Sequence, residues 1–74
     1  LNAMNRIKES AESLRRAVAL DPDSANAHLN LAVILSRQGR KKEAHKAYVR
    51  AVELRPDWSM ALYGLARSFI ALED

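Results

Sequence analysis

Apolar residues recur along this chain at helical spacing, in stretches separated by short polar, glycine or proline-bearing breaks. Between residues 25 and 38 the repeating positions are Ala27, His28, Leu31, Ala32, Ile34 and Leu35, which share one side of a helix. Asp23 or Ser24 is placed to cap its start by accepting from an exposed backbone N–H. Gly39 is placed to end it, since a helix often closes in a left-handed conformation that glycine adopts at little cost. The following stretch carries Ala44, Ala47, Tyr48, Ala51 and Val52 on one face, and Pro56 forbids its continuation. A last stretch, opened by Asp57, carries Leu62, Leu65, Ala66, Phe69 and Ile70. Helices are therefore expected near residues 5–20, 24–38, 41–54 and 58–72.

The pattern also repeats on a longer scale. A shift of 34 residues lays Pro22 on Pro56, Arg16-Ala17-Val18 on Arg50-Ala51-Val52, Leu20 on Leu54 and Asp23 on Asp57. It also lays Ala27, Leu31 and Ala32 on Ala61, Leu65 and Ala66, and Arg6, Lys8 and Glu9 on Arg40, Lys42 and Glu43. Those are 12 identities over residues 6–32, with no gap. Asn5 falls on Gly39, and asparagine is the next-best residue for a left-handed helix end. Each unit is thus a pair of helices. Alanines at 32, 44, 47, 51 and 66 let neighbouring helices approach closely, while one pair alone cannot bury its apolar face, so pairs must stack.

With this period, the sequence resembles the tetratricopeptide repeat family, whose 34-residue helix–turn–helix unit follows the pattern W-x2-L-G-x2-Y, then A-x3-F, then P. The complete copy reads His28-x2-Leu31-Ala32-x2-Leu35, then Ala44-x3-Tyr48, Ala51 and Pro56. A half copy before it reads Ser10-x3-Leu14, Ala17 and Pro22, and one after it reads Leu62-x2-Leu65-Ala66-x2-Phe69. The departures are conservative: His28 and Leu62 stand for the tryptophan, alanine for the small glycine, and Leu35 for the tyrosine. The resemblance implies an all-α fold, an α–α superhelix of antiparallel helix pairs with four helices here. Residues 4–74 form the repeat segment, as a half repeat 5–22, a full repeat 23–56 and a half repeat 57–72. Leu1-Asn2-Ala3, ahead of Met4, reads as a cloning remnant.

The resemblance further implies a protein-interaction module that holds a peptide segment of a partner in the groove lined by the first helix of each pair. The residues that would face it are Asn26, Leu29, Asn30, Val33 and Arg37, and, on the last helix, Met60, Tyr63, Gly64 and Arg67. Apolar surface beside guanidinium groups suits a peptide with apolar side chains and a carboxylate, which arginine binds through two parallel hydrogen bonds. The family's clamp for C-terminal carboxylates needs lysines and asparagines over three repeats, of which only Asn30 and Arg67 have counterparts here. The bland alternative is that all these residues are ordinary exposed positions. Gly64 costs its helix roughly 1 kcal/mol relative to alanine, which a close backbone approach or simple drift accounts for equally.

The register also suggests self-association. The chain reads as a second helix, a full pair and then a first helix that is no polar cap, so it is expected either to be an excerpt of a longer array, or the repeat arm of a larger protein, or to have its ends meet between molecules. Leu14, Ala17 and Val18 of the leading helix are candidates to meet Leu62, Leu65, Phe69, Ile70 and Leu72 of another copy, either head to tail or about a two-fold axis. Structural self-assembly of this kind is the alternative function.

Composition narrows the remaining classes. Seventy-four residues make one small domain, and the absence of cysteine leaves no disulfide or thiolate site. His28 is expected to be packed and His45 solvated among lysines; neither is expected to hold a metal. No Gly-rich phosphate loop, paired carboxylates or Ser–His–Asp set is present, so neither a cofactor nor catalysis is expected. The net charge of +3 is mild, and the basic residues between positions 37 and 50 read as a solvated face rather than a nucleic-acid site. No membrane-spanning run or signal-peptide pattern occurs, and the expected compartment is the cytoplasm.

Overall fold

The computed structural model describes residues 3–73, with side chains from residue 5 onward. It contains four helices: α1 over Ala3–Leu20, α2 over Ala25–Arg37, α3 over Lys41–Leu54 and α4 over Ser59–Glu73. Of the expected remnant, Leu1 and Asn2 lie outside the described residues, as does Asp74, whereas Ala3 belongs to α1.

Helix ends fall where the local chemistry puts them. Ser24, with extended backbone, accepts from the Ala27 N–H at 3.2 Å and caps α2, so of the two expected candidates it is serine that serves. At the other end of α2, Gly39 adopts a φ of 79°, in the left-handed region. Its N–H donates to the Ser36 carbonyl, and the Arg40 N–H reaches back to Leu35. Pro22 and Pro56 follow the last turns of α1 and α3, whose trailing N–H groups, of Asp21 and Arg55, still donate to Ala17 and Ala51. The match between Asn5 and Gly39 does not carry over. Asn5 lies inside α1, and no non-glycine residue with positive φ occurs among the described residues. Shifted by 34, the Ser24 cap becomes Trp58, which gives up the hydroxyl and instead packs against the core with the Arg55 guanidinium over its ring, 4.7 Å from the centroid.

The repeat is visible in the elements themselves. α2 and α4 begin at 25 and 59, and α1 and α3 end at 20 and 54, in both cases 34 residues apart. Helices pack in chain order, most extensively α2 on α3, then α3 on α4, then α1 on α2. The body is thin, 37 × 33 × 16 Å, as two layers of helices require. Leu29, Leu31, Ala32 and Leu35 of α2 meet Ala44, Ala47, Tyr48 and Ala51 of α3 in one core, joined by Ala61 of α4. Leu14 and Val18 of α1, with Val52, Trp58 and Leu65, pack around it. Ala32, Ala51 and Ala61 are fully inaccessible. No helix among the described residues is long and apolar enough to cross a membrane.

Candidate binding groove

Stacking the pairs leaves α2 and α4 side by side with α3 beneath them. Between them lies a groove of about 440 Å³. From α2 it takes Leu29, Val33, Ser36 and Arg37; from α4, Met60, Tyr63, Gly64, Arg67, Ser68 and Ala71; from α3, Tyr48. Of the residues expected to face it, Leu29, Val33, Arg37, Met60, Tyr63, Gly64 and Arg67 are brought together there. Leu29 contributes from below, since it is buried in the core. Asn30 points instead into a second depression, of about 670 Å³, between α1 and α2. Asn26 is exposed and lines neither.

The groove combines exposed apolar surface with positive charge. Met60 and Tyr63 are about two-thirds exposed. The Arg67 guanidinium lies over the Tyr63 ring, 5.8 Å from its centroid, so the ring helps hold the charge in place. Arg37 is the other cation among the described residues that line the groove, and none of those residues is a carboxylate. Tyr48 was not foreseen as part of it. Burial pushes its phenol above the ordinary pKa, and the charge of Arg67 pulls the other way, so the ring stays neutral well past physiological pH. That ring lies against Gly64: a Cβ added there would stand 2.7 Å from Tyr48 Cδ1 and 2.8 Å from Cζ. Close approach of a neighbouring side chain therefore explains the glycine. A glycine midway along a helix was the sequence signal for such an approach, although nothing in it said which side chain would come.

Both histidines are engaged in hydrogen bonds within the fold. His28 is buried and donates from Nε2 to the Pro22 carbonyl at 2.9 Å, tying α2 to the turn before it. His45 is not solvated as expected. It is half-buried, its Nδ1 lies 2.8 Å from Ser68 Oγ, and its ring meets Phe69 edge-on at 4.6 Å. Ser68 gives its hydroxyl proton to the Leu65 carbonyl at 2.6 Å, so the imidazole must donate from Nδ1 to Oγ. Among the described residues no group of three or more His, Cys, Asp or Glu could hold a metal ion. The basic stretch is partly compensated: Glu43 pairs with Arg15 at 3.1 Å and Arg40 at 3.6 Å, and Arg50 lies 3.7 Å from Asp23 and 3.8 Å from Glu53.

The residues named for self-association divide. Leu14 and Val18 are engaged inside the fold, packed against the core, and Leu65 likewise. Ala17 is half-buried. Leu62, Phe69, Ile70 and Leu72 remain exposed, at 44, 54, 65 and 38%.

Residues 1–39 match the model of a family described as TPR repeat, and residues 25–58 match one described as tetratricopeptide repeat. Among curated proteins the chain is similar to protein O-mannosyl-transferase TMTC1 of Mus musculus, 37% identical over 90% of this chain, and of Homo sapiens, 36% identical over 90%. It is also similar to protein O-mannosyl-transferase TMTC3 of Mus musculus, 27% identical over 95% of this chain. The chain spans only 7–8% of the length of these relatives. No solved structure gives a significant match.

Proposed function

The chain belongs to the tetratricopeptide repeat family, whose repeats make protein-interaction surfaces, and from that premise we propose that it binds an extended peptide segment of a partner protein in the groove between α2 and α4. The observation that carries the reading is the groove's composition: apolar side chains and two guanidinium groups, with no opposing acid among the described residues that line it. The ligand it suits carries one or two apolar side chains flanked by a carboxylate. Met60 adapts its flexible thioether to the apolar part, Tyr63 offers a rigid ring, and Arg37 or Arg67 receives the carboxylate. The neutral Tyr48 phenol adds a donor from the floor. No transfer chemistry is proposed for this chain. What it shares with the mannosyl-transferases is a stretch of helical repeat, under a tenth of their length.

Selection from a random peptide library, followed by fluorescence anisotropy on the selected peptides, tests the proposal. Acidic–apolar peptides should be enriched, and Arg37→Glu with Arg67→Glu should weaken their binding by about tenfold or more, as loss of charge-assisted hydrogen bonds costs about 1.5–3 kcal/mol. Selected peptides that bind the doubly reversed variant as well as the wild type would overturn it.

A further inference from the structure

Tyr48 belongs to the core of α3, at 8% exposed, yet it also forms part of the groove floor. Its ring runs beneath Gly64 of α4, where the missing side chain makes room for it. The edge that lies there includes Cζ, the carbon that bears the hydroxyl, so the polar end of the ring arrives at the groove. Among the described residues that hydroxyl has no hydrogen-bond partner, although a buried phenol usually finds one. Burial keeps the proton on the phenol, so the group is a donor at physiological pH and its complement is an oxygen acceptor from outside the fold.

A cation stands beside it. The Arg67 guanidinium lies over the Tyr63 ring at 5.8 Å, and its charge acts on the Tyr48 phenol. Among the described residues Arg67 takes part in no ion pair, whereas Arg15, Arg40 and Arg50 all do. Arg37 is differently placed: it ends α2 and borders the α1–α2 depression as well as the groove. On the basis that the groove binds a peptide, we propose that Tyr48 and Arg67 form one seat for a carboxylate. The Tyr48 hydroxyl donates to a carboxylate oxygen from the floor, and the Arg67 guanidinium pairs with the same group from the α4 wall. The occupant is a glutamate or aspartate side chain within the bound peptide. A main chain lying on the exposed Met60 and Tyr63 stays at the rim, and only a side chain reaches down to a phenol buried this deeply. An exposed guanidinium alone holds a carboxylate weakly in water, and a neutral phenol alone donates to any oxygen acceptor. Together they require an acceptor that is also an anion, which separates glutamate from glutamine. Ser68, the hydroxyl on the α4 wall, is already spent on the Leu65 carbonyl.

Nuclear magnetic resonance of the intact chain, with tyrosine isotope-labelled at Cζ, tests the seat; the Tyr48 signal is assigned by its loss in Tyr48→Phe. The probes are the blocked peptide amides leucyl-glutamyl-leucine and leucyl-glutaminyl-leucine, and acetyl-leucyl-leucine with a free C-terminal carboxylate. The glutamate peptide should shift the Tyr48 signal saturably, and the other two should leave it in place. Tyr48→Phe keeps the ring under Gly64, so its melting temperature at neutral pH should stay near that of the wild type. Read from backbone amide shifts, its affinity for the glutamate peptide should nevertheless fall about tenfold, with less than about a twofold change for the glutamine peptide. A purely structural role for the hydroxyl would weaken both peptides alike. In an Arg67→Gln background the loss caused by Tyr48→Phe should shrink below about twofold, since the two groups hold one carboxylate. A glutamate peptide that leaves the Tyr48 signal unmoved, or that binds Tyr48→Phe as tightly as the wild type, would overturn the seat. A free C-terminal carboxylate that moves the signal equally would overturn the assignment to a side chain. The groove is judged separately: selected peptides that still depend on Arg37 and Arg67 leave it standing when the seat fails, and peptides indifferent to both arginines sink the two together.

Discussion

At Gly64 a helix gives up about 1 kcal/mol of propensity relative to alanine, and the ring of Tyr48 is the reason. One period earlier the same two positions hold Asn30 and Leu14, so a smaller residue on the second helix goes with a larger one on the first. Gly64→Ala is therefore expected to lower stability by up to about 2 kcal/mol in chemical denaturation, because overpacking by about 1–3 kcal/mol outweighs the propensity gain. In a Tyr48→Leu background the same change should instead raise stability by about 1 kcal/mol. Equal effects in both backgrounds would separate the glycine from the ring. Tyr48 also makes a pH-dependent contribution. Its folded pKa is raised above 10.0 by burial, so the folded state holds the phenolic proton more tightly than the unfolded state. The stability it adds is present below pH 10 and is lost as pH rises through the raised value. The melting temperature should fall more steeply above pH 10 in the wild type than in Tyr48→Phe. At this scale the sequence was only partly legible. Period and residue type placed Gly39 and Ser24, whose roles are local, whereas the surroundings of His45 are made by Ser68 and Phe69 of another helix.

Each helix owes its position to a face that a neighbour covers, and the repeat allows like to be compared with like. Leu35 of α2 and Phe69 of α4 share one register, but α3 covers the first and leaves more than half of the second in solvent. Leu35→Ala should cost about 2–5 kcal/mol through lost burial and the cavity left behind. Phe69→Ala, the larger truncation, should cost at most about 1 kcal/mol in dilute solution, since only the covered part of the ring contributes. Comparable losses at the two positions would mean that α4 is covered within the chain. Helix boundaries were legible because Pro22, Gly39 and Pro56 act on the backbone next to them. The start of α1 was not, because asparagine at position 5 tolerates a left-handed helix end without demanding one.

Across the whole molecule, two layers of helices leave a groove whose wall residues follow from period alone. Val33 and Arg37 on α2, and Met60, Tyr63 and Arg67 on α4, lie on the flank of each first helix beside its packing face, and both flanks turn to the same side. Tyr48 could not be assigned to the groove in this way, since it arrives from the other layer, and Asn30 borders α1 rather than α4. The basic stretch over 37–50 lies mostly on α3, where Glu43, Asp23 and Glu53 pair with some of its arginines. Groove and basic face therefore make separable claims about where a ligand binds. The most direct measurement is a map of amide chemical-shift changes in the labelled chain as a library-selected acidic–apolar peptide is added. Saturable shifts should cluster at Arg37, Met60, Tyr63, Gly64 and Arg67 and leave Lys42 and Lys46 unmoved. Shifts confined to Lys41, Lys42 and Lys46, fading as salt is raised, would place binding on the basic face and refute the groove.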